Sequence, residues 1–196
     1  MTTASIKKRI TAKGRGAIFS PVDFLDLGSR ASVDQALSRL TDQGFIRRLT
    51  RGLYDYPKIS PRFGKLAPSM DDVAKALARK DKHVLQVSPA AAANQFGLST
   101  QVPSMHVYLT DGPTRTRQIG KQTIQFRHAS AKTLVGAGKK SGAVLQALRY
   151  LGRDGVDHTV IDRLSRSLTD DDRAQLRNQS KYVPAWMHPV IDQLTE

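Results

Sequence analysis

An α/β fold in two parts is what this chain of 196 residues predicts, on three observations. Apolar residues recur at helical spacing over 33–40, and a short basic hairpin pattern follows at once. A proline-rich stretch at 57–68 interrupts the chain. Beyond it, strand-like and helix-like segments alternate before a helical end. The expected organisation is a winged helix-turn-helix over residues 1–60 and a mixed α/β domain over 66–196.

Residues 3–12 are expected to form a short helix, with Ile6 and Ile10 at i,i+4 on one face, broken by Gly14 and Gly16. Ser20 suits an N-cap and Pro21 a first helical residue; Val22, Phe24, Leu25 and Leu27 then supply a helix that Gly28 ends. Ser29 to Ser32 reads as the turn. The next helix is expected from Val33 to Gln43. Its Val33, Ala36, Leu37 and Leu40 form an inward stripe, Asp34, Gln35, Ser38, Arg39 and Asp42 lie outward, and Gly44 stops it. Residues 45–49 and 53–56 read as two strands joined by Thr50-Arg51-Gly52, where Gly supplies the positive φ of a tight hairpin.

Residues 57–68 read as a linker. Ser69 caps a helix that carries Asp71 and Asp72 in its first turn, where the helix dipole favours anions, and ends near Lys80. Strands are expected at 83–87, 105–109 and 123–127, and a helix from Pro89 to Phe96. Residues 110–122 read as a polar connection. Helices follow at 143–151, 159–168 and 170–178, and again after Pro189.

The net charge is +14 with an isoelectric point near 10.4. Residues 1–66 carry 13 Lys and Arg against 5 Asp, so the excess is densest on the expected winged helix. Such an excess favours polyanions, since each neutralised phosphate releases counterions; a solubilising surface is the plainer reading. No apolar run reaches the length of a membrane span, and no secretory signal is visible. The lack of cysteine excludes disulfides and suits a reducing, bacterial cytoplasm.

A recognition helix needs an apolar face against its scaffold and a short polar face toward base edges. Ser29, Arg30, Ser32, Gln35, Ser38 and Arg39 are the expected base-reading residues. The expected phosphate contacts are Lys7, Lys8, Arg9, Lys13 and Arg15 before the helix, with Arg47, Arg48, Thr50 and Arg51 on the wing. An ordinary amphipathic surface helix beside a solvated basic turn would show the same pattern.

The tract from Asp42 to Asp55, DQGFIRRLTRGLYD, resembles the signature of AbiEi-type antitoxins of bacterial toxin–antitoxin systems: a helix ending in Gly, an apolar-basic strand, then R-G-x-Y at the wing. Pro68-Ser69, Val87 to Ala92, Asn94 and Gly97 to Thr100 are similar to that family's second domain. The resemblance covers about residues 4–135, and the helical tail departs from it. It implies an N-terminal domain that represses its own operon on double-stranded operator DNA. It also implies a second domain that counters a nucleotidyltransferase-like toxin.

An active site is not expected. His83, His106, His128, His158 and His188 show no metal-ligand spacing. Asp170, Asp171 and Asp172 after Thr169 are explained by capping and the helix dipole. The run from Gly136 to Gly142 lacks the full phosphate-loop spacing and reads as a basic turn before a helix. Trp186, in the tract from Tyr182 to Met187, reads as a core anchor, with an interface role as the alternative. The function expected is a DNA-binding repressor, the autoregulating antitoxin of a toxin–antitoxin pair, with no cofactor and no metal. The alternatives are a plasmid or mobile-element regulator without a toxin, a nucleic-acid-processing enzyme, and a protein-interaction module.

Overall fold

The structure, a computed structural model, describes residues 2–101 and 105–196. It is mixed α/β with small sheets and a helical C-terminal end, as the sequence predicts. The chain folds into two compact units, Met1–Lys82 with Arg117–Thr123, and His83–Thr116 with Ile124–Glu196.

In the first unit, α1 (Thr2–Lys13) buries Ile6 and Ile10, one turn apart on a single face. A two-residue strand follows, β1 (Ile18–Phe19), and then a single 3-10 turn, Pro21–Phe24. The α-helix expected there does not form. Asp23 folds back to accept from the Ser20 backbone N–H (2.7 Å) and hydroxyl (3.1 Å). The next helix, α2 (Arg30–Asp42), begins one turn earlier than the apolar stripe indicates, because Ser29 caps it: its Oγ accepts from the Ser32 backbone N–H.

The hairpin is β2 (Arg47–Thr50) and β3 (Leu53–Asp55), shorter than expected, with an irregular register between Arg48 and Thr50. Both β1 and β2 pair antiparallel with β3, making a three-stranded sheet in the order β1-β3-β2. Phe19, Phe24, Val33, Leu37, Leu40 and Ile46 close the core with α1; all are fully or almost fully buried. Side chains of this size contribute about 1.5–3 kcal/mol each on burial.

The stretch expected as a linker contains a second small hairpin, β4 (Ile59–Ser60) with β5 (Gly64–Lys65). After it, α3 (Met70–Asp81) starts at Ser69, whose Oγ accepts from the Asp72 backbone N–H. This helix belongs to the first unit. Its Arg79 donates to Asp23 (3.1 Å) and to the Ile18 carbonyl (3.3 Å). The units therefore divide after Lys82, not within 60–66.

After Lys82 come β6 (Leu85–Val87), α4 (Pro89–Gln95), β7 (His106–Thr110), β8 (Arg115–Ile119) and β9 (Gln122–His128), of which Arg117–Thr123 belongs to the first unit and the rest to the second. The sheet order is β6-β7-β9-β8, with β6 antiparallel and β9 parallel to β7. The polar connection expected at 110–122 thus includes a strand. Four helices follow: α5 (Lys140–Leu151), α6 (His158–Ser167), α7 (Asp170–Gln179) and α8 (His188–Thr195). Val144, Leu145, Leu148, Leu164, Leu176, Met187, Ile191 and Leu194 form their core, and Trp186 packs against it as a core anchor.

Within α5, Gly142 lies against the Gly136 backbone so closely that a Cβ would collide with the Gly136 carbonyl. Glycine is required there by the approach of two chain segments.

Candidate nucleic-acid interface

The buried stripe of α2 (Val33, Ala36, Leu37, Leu40) leaves Gln35, Ser38 and Arg39 exposed at i, i+3 and i+4, on one outward face. None of the three side chains has a hydrogen-bond or ion-pair partner among the described residues. Arg30 is different: its Nε donates to Asp34 at 2.8 Å, four residues on. Ser29 and Ser32 are occupied by the cap, their hydroxyls 3.1 Å apart, with Ser32 Oγ donating to the Ser29 carbonyl at 2.8 Å. Of the six residues expected to read bases, Gln35, Ser38 and Arg39 have free side chains. Ser29, Arg30 and Ser32 hold the helix start together.

On the hairpin, Arg47 grips Asp55 with two hydrogen bonds, Nε to Oδ1 at 3.1 Å and Nη2 to Oδ2 at 2.6 Å, and Nη2 also reaches the Leu66 carbonyl at 2.9 Å. The Asp55 side chain is 2% exposed. The phosphate contact expected of Arg47 is revised accordingly: its charge is neutralised within the hairpin, where it fixes β2 against β3. Arg48, next in the strand, is exposed and unpartnered, and so is Arg51 at the turn. Gly52 takes a φ of +69° to close that turn. Thr50 is half-buried. Lys80 of α3 donates to the Arg51 carbonyl at 3.2 Å and adds a cation at the turn. Its distance of 29 residues along the chain hides it from local sequence patterns.

The basic residues of α1 divide in the same way. Arg9 makes two 2.7 Å hydrogen bonds to Asp26 and a third, at 3.3 Å, to the Asp23 carbonyl. The bond between them raises the Arg9 pKa and lowers that of Asp26. Arg9 is therefore also revised from a phosphate contact to a tie between α1 and the 3-10 segment. Lys8 and Lys13 are exposed and unpartnered.

Lys7 and Arg15 line a cleft of about 280 Å³ together with Lys65, Phe45 and Tyr56. Lys7 lies 4.9 Å from the Phe45 ring centroid and Arg15 4.6 Å from that of Tyr56, with the two rings 4.9 Å apart. Arg15 also donates to the Pro57 carbonyl at 3.0 Å, and Lys65 to the Gly44 carbonyl at 3.3 Å. Among the described residues no carboxylate lines the cleft, and its cations are held by rings and carbonyls with no acid to offset their charge. Lys65 lies in the segment read as a linker, and the two rings come from residues 45 and 56; neither feature has a local sequence signal.

Elsewhere, the described residues contain no group of three or more His, Cys, Asp or Glu that could hold a metal ion. Asp172 accepts from the Thr169 backbone N–H and hydroxyl in a capping box. In the glycine-rich run, Lys140 donates to the Ser167 carbonyl at 2.7 Å, and the buried Ser141 hydroxyl bonds Gln175 and Gln179. Both side chains are occupied in joining α5 to α6 and α7. No helix among the described residues is long and apolar enough to cross a membrane.

Residues 5–176 match the model of a family of unknown function, DUF6088. No curated protein matches the chain. Among solved structures, the chain is similar to the crystal structure of the RV2827C protein from Mycobacterium tuberculosis. The identity is 13% and the TM-score 0.43, over 100% of this chain and 76% of that one.

Proposed function

The chain belongs to the DUF6088 family, and we propose that it is a DNA-binding transcriptional regulator whose first unit works as a winged helix. The observation that carries this reading is a division of labour among its basic residues. Arg9, Arg30 and Arg47 are neutralised by aspartates and hold the scaffold. Gln35, Ser38 and Arg39 on α2, and Arg48 and Arg51 on the hairpin, are exposed and unpartnered.

In this reading α2 enters the major groove. Gln35 pairs with adenine and Arg39 with guanine, while Ser38 accepts or donates as the base requires. Arg48, Arg51, Lys8 and Lys13 hold phosphates, and the Lys7–Arg15–Lys65 cleft seats a further phosphate of the flanking backbone. Asp42 limits the contact to the first two-thirds of α2, because its exposed carboxylate repels phosphate at the helix end. The likeness of the Asp42–Asp55 tract to AbiEi-type antitoxins supports repression of the chain's own operon, with the second unit engaging a toxin partner.

DNase footprinting of the full chain on the promoter of its own gene tests this. A discrete protected site supports the reading; no protection at low salt rejects it.

A further inference from the structure

The second unit holds a cleft that DNA binding does not use. It has a volume of about 390 Å³ and is lined by Lys132, Arg149, Lys181 and Tyr182 together with Thr133, Val183 and Pro184. Arg149 lies in the last turn of α5 and is half-buried. Two main-chain carbonyls orient it, Thr133 O at 3.4 Å from Nη1 and Lys132 O at 3.3 Å from Nη2. No carboxylate lines the cleft.

Burial pushes the Arg149 pKa below its ordinary value, with no opposing contribution from an acid. A guanidinium carries five N–H donors in a fixed fork, so two long carbonyl contacts leave donors free. Lys181 stands 5.1 Å from the Tyr182 ring centroid, and Lys132 is exposed at the rim. A partly desolvated cation flanked by two like charges is unfavourable until an anion joins it.

We infer that this cleft binds a phosphate dianion, free or as the terminal group of a monoester, with Arg149 as the oriented fork, Lys132 and Lys181 as flanking charges, and Tyr182 as the wall beside the phosphate. A dianion matches three cations better than one carboxylate does. Planar forks suit phosphate oxygens. The cleft is larger than a phosphate needs, near the lower end of the range for small-molecule pockets, about 300–1,000 Å³. The same chemistry is offered by free inorganic phosphate and by the terminal phosphate of a mononucleotide.

Isothermal titration calorimetry of the full chain at low salt, with inorganic phosphate and separately with adenosine monophosphate, tests the inference. Single-site saturation by at least one of them is expected. The double variant Lys132→Ala/Lys181→Ala, confined to exposed side chains, is expected to weaken it at least tenfold. Arg149→Met is expected to weaken it further, and Arg48→Ala/Arg51→Ala to leave it unchanged. Tenfold preference for the nucleotide assigns the site to a phosphorylated small molecule; equal affinity assigns it to phosphate alone. No saturable binding of either probe overturns the inference. So does binding that survives undiminished in the Lys132→Ala/Lys181→Ala protein. Neither result bears on DNA binding by the first unit.

Discussion

At Arg47 and Arg48 the alternation of a strand sends adjacent side chains to opposite faces, and their expected mutational effects part accordingly. Arg47→Ala strands the Asp55 carboxylate, whose side chain is 2% exposed, without its partner. Removing one member of such a pair costs about 3 kcal/mol, read as a lower denaturation midpoint. Arg48→Ala is expected to leave the midpoint unchanged within about 0.5 kcal/mol and to weaken binding to every duplex alike. Asp23 makes a second prediction at this scale. Burial opposes its ionisation, but the Ser20 N–H and the Arg79 guanidinium outweigh that, and its pKa is net lowered. A lowered carboxylate pKa contributes stability that is complete above the unfolded value of about 4 and is lost as pH falls through the folded value. Urea midpoints measured from pH 6 down to pH 3 should therefore fall more steeply for the native chain than for Asp23→Asn.

Among the elements, α2 is the one to which the proposed function assigns the sequence preference. Gln35→Ala and Arg39→Ala are each expected to cost about 1–3 kcal/mol on the preferred site and little on random duplex, measured by competition binding. Gly142→Ala places a methyl group against the Gly136 carbonyl, and overpacking of this kind costs about 1–3 kcal/mol, visible in thermal denaturation. The elements with helical spacing or a cap signal were legible in the sequence: α1 from the i,i+4 pair Ile6 and Ile10, the inner face of α2, and α3 from its serine cap. The two-residue strands β1, β4 and β5 were not, because two residues carry no periodicity. The helix expected after Ser20 is a single 3-10 turn, Pro21–Phe24, although its Ser20–Asp23 cap is the kind that opens longer helices. At the candidate site, the exposed face of α2 followed from its spacing, but the pairing of Arg9 with Asp26 and of Arg47 with Asp55 did not. Those contacts join residues 17 and 8 positions apart across a fold that local pattern does not specify.

On the scale of the whole molecule, the net charge of +14 makes some attraction to any polyanion unavoidable, so affinity for DNA alone is weak support. The salt dependence is more informative. With Arg48, Arg51, Lys8 and Lys13 on phosphates and one more phosphate in the Lys7–Arg15–Lys65 cleft, the slope of log affinity against log salt is expected to be about −4 to −5. The most direct measurement is fluorescence anisotropy of the full chain on a duplex from its own promoter and on a scrambled duplex, from about 50 to 200 mM salt, beside Arg48→Ala/Arg51→Ala and Gln35→Ala/Arg39→Ala. The account predicts that the hairpin variant weakens both duplexes and flattens the slope by about 2. The helix variant should lose the preference for the promoter while keeping the slope within about 1 of native. Equal behaviour of the two variants on both duplexes would contradict it.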